Sequence, residues 1–119
     1  MRIASVMALL AVMLGAFGAH ALKDALGHSP HGIELWEKAV FYHFIHAVML
    51  FVLATLQPLK RLSWWAFFVG IILFSGSLYL FALTGDHWLV ALTPFGGVSF
   101  MVGWGCLIIA PPIERAGKP

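Results

Sequence analysis

Long uncharged stretches and short polar breaks alternate along the whole chain. No Asp, Glu, Lys or Arg occurs between Arg2 and Lys23, between Lys38 and Lys60, between Arg61 and Asp86, or between Asp86 and Glu114. Four apolar runs fill these windows, roughly Ile3–Leu22, Ala39–Leu56, Leu62–Leu83 and Trp88–Ala110. A membrane-crossing helix needs about 20 residues, within a range of about 17–25, so each run has spanning length. Inside hydrocarbon every backbone polar group must be satisfied within its own segment, which makes the runs helices. The breaks are short: His28-Ser29-Pro30-His31-Gly32, Gln57-Pro58-Leu59-Lys60-Arg61 and Thr84-Gly85-Asp86-His87, with Pro111-Pro112 ending the last run. Short links make successive helices antiparallel. The pattern predicts an all-α, integral membrane four-helix antiparallel bundle, a single domain over 1–119 with helices at about 3–22, 37–56, 63–83 and 88–110.

Composition agrees with this and narrows the partners. Of 119 residues, 61% are hydrophobic and 10% charged, against about a quarter charged in soluble domains. A soluble chain this short could not bury so much apolar surface. The formal net charge of +2 is scattered over termini and loops, so no basic patch points to nucleic acid. Cys106 is the single cysteine and reads as a small apolar residue. Arg2, Lys60, Arg61, Arg115 and Lys118 fall on one side, and Lys23 and Lys38 on the other, beside Asp24, Glu34, Glu37 and Asp86. The basic excess places both termini in the cytoplasm, and Trp36, Trp64, Trp65 and Trp88 near helix ends suit interfacial anchors.

"GAFGAHALKD", residues 15–24, has a second reading. Arg2, an apolar run and Ala19-x-Ala21 also outline a secretory signal peptide. The run from Ile3 to Phe17 is at or beyond the upper end of a signal core, about 7–15 residues. Ala-x-Ala is weak in an alanine-rich segment. Retention of the first helix is the expectation.

The stretches "GAFGAHAL", "AVFYHFIHAVML", "FSGSLY" with "FALTG", and "LTPFGG" with "MVGW" follow one another along the chain. Together they resemble a family of small four-helix membrane proteins catalogued as domain of unknown function 423, to which the eukaryotic transmembrane protein 256 is similar. The resemblance implies a retained first helix and a bacterial inner-membrane location, and supplies no activity. Positions matching its pattern are Gly15, Gly18, His20, Tyr42, His46, Ser77, Tyr79, Thr93, Pro94, Gly96 and Gly97. It does not extend to His43.

Depth organises the polar residues. At about 1.5 Å per residue, His43 and His46 lie about 6 Å and about 10 Å below the outer boundary near Ala39. Ser75, Ser77 and Tyr79 fall in the outer half of the third run, and Thr93–Gly97 in the outer half of the fourth. His20 ends the first run on the same side. The inner half is almost plain hydrocarbon. The candidate polar pocket is therefore His20, Tyr42, His46, Ser77, Tyr79, Thr93, Pro94, Gly96 and Gly97, since bundle pockets lie between helices and need few polar groups.

Two bland readings stand beside the chemistry. His43 and His46 share a helix face; with His20 they are candidate ligands for a metal, or for haem between facing imidazoles. No Cys or carboxylate lies beside them, and histidines that hydrogen-bond Tyr, Ser or backbone explain the same pattern. Gly15, Gly18, Ala19, Ser99 and Gly103 form small faces that let membrane helices approach, through internal packing or in a homo-oligomer. Pro94 either kinks the fourth helix or starts it. The expected function is non-enzymatic, without a cofactor: binding or accessory work in the lipid bilayer, alone or in a larger membrane complex. A histidine-ligated metal or haem protein is the second class. A small four-helix transporter is the third, although no intramembrane carboxylate is present to couple protons.

Overall fold

The computed structural model describes residues 2–20, 31–55 and 61–109, with the side chain of Ala19 excepted. Residues 21–30 and 56–60 of the first two connections, and the Pro111-Pro112 segment, lie outside the described residues. Helix α1 spans Arg2–His20 and α2 spans Gly32–Thr55. Helix α3 is one continuous rod over Arg61–Thr84, in which α-helical Arg61–Gly70 and Gly76–Thr84 flank a π-helical stretch at Ile71–Ser75. A 3₁₀ turn at His87–Ala91 leads into α4, Thr93–Ile109. No strand occurs among the described residues. Three segments are long and apolar enough to cross a membrane, Gly32–Thr55, Arg61–Thr84 and His87–Ile109; the described apolar part of the first helix, Arg2–Gly18, is shorter.

Boundaries differ from the hydropathy pattern where polar residues are helical. Helix α2 begins at Gly32 because the turn carrying exposed Glu34, Glu37 and Lys38 continues the helix above its apolar run. Glu34 in the first turn suits the positive end of the helix dipole. Helix α3 stops at Gly85, whose φ of 74° is the left-handed conformation that glycine adopts freely; its N–H caps the Phe81 carbonyl at 2.8 Å. Helix α4 begins at Thr93, not near 88. Pro94 sits in its first turn, where a missing N–H costs nothing. The proline thus starts a helix and does not kink one.

Helices pack in chain order, α1 on α2, α2 on α3 and α3 on α4. Ala4, Met7, Ala47, Leu50, Leu53, Phe67, Ile71 and Phe100 form the main core, with residues from all four helices. A smaller cluster centres on Trp36 and Ala82. Small residues set the spacing. A Cβ on Gly18 would strike the Trp36 ring, one on Gly103 the Phe67 ring, and one on Gly96 the backbone of Phe74. The α3–α4 seam is stitched by Ser63 Oγ to the Gly103 carbonyl at 2.9 Å and Ser99 Oγ to the Ala66 carbonyl at 2.6 Å. Large apolar side chains such as Leu9, Val12, Phe95, Met101 and Ile108 point outward, as lipid-facing positions require.

Candidate functional site

The polar residues of the outer slab enter a series of packing bonds between helices. His46 is 4% exposed. Its Nδ1 lies 2.8 Å from the Tyr42 carbonyl, and its Nε2 receives the Trp104 indole N–H at 3.2 Å. A carbonyl only accepts and an indole N–H only donates. The two bonds therefore fix a neutral imidazole, protonated on Nδ1. Its ring stacks on Phe100, centroids 3.7 Å apart. Neither nitrogen is left for a metal.

His43, 3% exposed, bonds through Nδ1 to the Tyr79 hydroxyl at 2.9 Å. Its Nε2 has no hydrogen-bond partner among the described residues. Ser77 Oγ donates to the Phe74 carbonyl at 2.9 Å, so Thr93 donates across the seam to Ser77, at 2.6 Å. Ser75 Oγ bonds the Ala39 carbonyl at 2.8 Å, tying the π-helical stretch to α2. Trp36 Nε1 bonds the Leu14 carbonyl of α1 at 2.8 Å.

His20 is exposed at the end of α1, and no group of three His, Cys, Asp or Glu among the described residues is placed to hold a metal ion. His20, His43 and His46 are not brought together as a three-ligand group among these residues. Helix rotation separates residues that share a depth: His43 turns to Tyr79, and His46 turns to α4. Of the small-residue candidates, Gly15 meets Val40 and Gly18 meets Trp36 on the α1–α2 face, while Ser99 and Gly103 serve α3–α4. Ala19's side chain lies outside the described residues.

One open space lies at the turns. A cavity of about 500 Å³ lies between the start of α2 and the end of α3, lined by His31, Glu34, Leu35, Phe81, Ala82, Gly85 and His87. It shares no residue with the expected pocket of His20, Tyr42, His46, Ser77, Tyr79, Thr93, Pro94, Gly96 and Gly97. Its floor is apolar, from Leu35, Phe81 and Ala82. Its rim is polar: His31 Nδ1 lies 3.3 Å from Glu34 Oε2, and the His87 ring stands 5.7 Å from Phe81. His31 takes φ 61° just before α2, and its carbonyl accepts the Leu35 N–H at 2.9 Å. In the sequence, His31 and Asp86-His87 belong to the polar breaks between apolar runs. The available signal was the pair of turns at one end of adjacent helices.

A family model described as "Protein of unknown function (DUF423)" matches residues 14–97. A "UPF0382 membrane protein" of Staphylococcus epidermidis is 45% identical over 107 residues, covering 87% of this chain and 86% of that protein. The "UPF0382 membrane protein YwdK" of Bacillus subtilis is 43% identical over 111 residues, covering 87% of each. The chain belongs to the DUF423 family. It is accordingly a membrane protein with several apolar helices, and no solved structure matches it. The family match runs from Leu14 in α1 to Gly97 in α4 and so takes in the whole cavity and every hydrogen-bonded pair of the slab except those to Trp104, Ser99 and Gly103.

Proposed function

We propose that this DUF423 protein acts by binding and not by catalysis, holding an amphipathic molecule in the cavity between α2 and α3. The cavity carries the reading. Its volume lies within the range of ligand sites, about 300–1,000 Å³, and such sites pair an apolar lining with a few polar groups. The remaining polar slab is consumed by helix packing. Five basic residues against two support both termini in the cytoplasm of a bacterial cell, which sets the cavity mouth at the outer face of the inner membrane. There it meets lipid and solvent together, as an amphiphile does.

Native mass spectrometry of the protein extracted gently from membranes tests this. Leu35→Trp fills the cavity floor; Leu80→Trp adds the same bulk on an exposed face of α3. The wild type and Leu80→Trp should carry a bound amphiphile that Leu35→Trp lacks, at similar thermal stability. Equal occupancy in all three, or no adduct in any, would remove the binding reading.

A further inference from the structure

Resting on the binding reading above, we infer that the ligand's head is a protonated primary amine on an apolar body. The rim dictates this. Among the described residues, Glu34 is the one formally charged residue that lines the cavity, and no Lys or Arg does. A head with net negative charge would meet the Glu34 carboxylate, whereas an ammonium is attracted to it. The surrounding turn deepens the bias: Asp86 precedes His87, and Glu37 follows Glu34 by one helical turn, with exposed Lys38 as the counter-charge on that stretch of α2.

Acceptors on the rim match the three N–H groups of an ammonium. His31 gives its Nδ1 to Glu34, and a neutral imidazole protonated on Nδ1 leaves Nε2 as an acceptor. His87 offers one imidazole lone pair in its neutral form, and Glu34 supplies carboxylate oxygens. The ring of Phe81 beside His87 adds a face that attracts a cation. A quaternary ammonium satisfies the ring and the charge but donates no hydrogen bond, so the site should distinguish the two heads. The body rests on Leu35, Phe81 and Ala82.

Two sources share this chemistry, an aminophospholipid and a free amphipathic amine. The full-length protein, delipidated in detergent, is titrated with phosphatidylethanolamine and with phosphatidylcholine of identical acyl chains, and separately with dodecylamine and dodecyltrimethylammonium. Occupancy is read by native mass spectrometry for the wild type, Glu34→Gln and Leu35→Trp. The wild type should prefer a primary over a quaternary head by about tenfold, the step that one charge-assisted hydrogen bond supplies. Glu34→Gln should bring the two heads to parity, and Leu35→Trp should remove both. A preference within the phospholipid pair identifies a lipid source; one confined to the alkylamine pair identifies a free amine. Equal binding of both heads by the wild type, or a preference unchanged in Glu34→Gln, would overturn the amine assignment. If Leu35→Trp still abolished binding in those cases, the cavity reading would stand without it. Occupancy indifferent to Leu35→Trp would overturn both.

Discussion

His46 shows how a membrane histidine can be a structural part and not a ligand. Both ring nitrogens are engaged, one by its own helix and one by Trp104, and the ring lies flat on Phe100. His46→Phe keeps an aromatic face but leaves the Trp104 N–H without its acceptor. Interhelical hydrogen bonds in membranes contribute about 0.6–2 kcal/mol, so a loss of roughly 1 kcal/mol is expected, seen as a lowered unfolding temperature in detergent. Unchanged stability would mean the pair contributes nothing; a metal bound by the wild type and lost in the variant would restore the ligand reading. The sequence shows that His46 is deep and that His43 is one turn away. It does not show rotation about the helix axis, which sends one imidazole to α4 and the other to Tyr79, 36 residues on. Depth was legible; partners were not. The cavity was missed for a related reason. Its rim comes from two turns that hydropathy treats as boundaries, and only the packing of α2 on α3 sets His31 and Glu34 opposite His87.

At the scale of the element, the apolar runs announce helices plainly, because nothing else can cross hydrocarbon. What they do not announce is the π-helical stretch at Ile71–Ser75, which leaves no mark in composition. It sits at a close approach of α3 and α4. Phe74 backbone lies directly under Gly96, so any Cβ there collides with main chain and not with a movable side chain. Gly97, one residue on, has only the Phe74 ring edge at 3.9 Å. Helix propensity favours alanine at both sites by roughly 1 kcal/mol, so the two substitutions separate propensity from packing. Gly97→Ala should be neutral or mildly stabilising. Gly96→Ala should force α3 and α4 apart and lower the unfolding temperature by several degrees. Equal effects would show that the close approach does not hold in the bilayer.

For the whole molecule, the question is whether α1 belongs to it. A removable leader would lie on the remaining helices without being needed by them. Here Ala4 and Ala11 are fully buried, and Met7 joins a core shared with Leu50, Phe67 and Phe100. The Leu14 carbonyl holds the Trp36 indole, and Gly18 makes room for that ring. Hydropathy supplied the count of helices and their order. It could not decide retention, because an apolar run followed by small residues fits a leader and a close-packed helix equally well. Gly15 and Gly18 are small where Val40 and Trp36 press against them, as a close-packed helix requires. The protein recovered from membranes should therefore have an intact mass that includes residues 2–20. A variant lacking residues 1–21 should bare Trp36 and the Ala47–Leu50 face of α2, and so lose cooperative unfolding. A mature chain starting at Leu22 that unfolds as sharply as the full-length protein would show that α1 is dispensable, and would reduce the bundle to three helices.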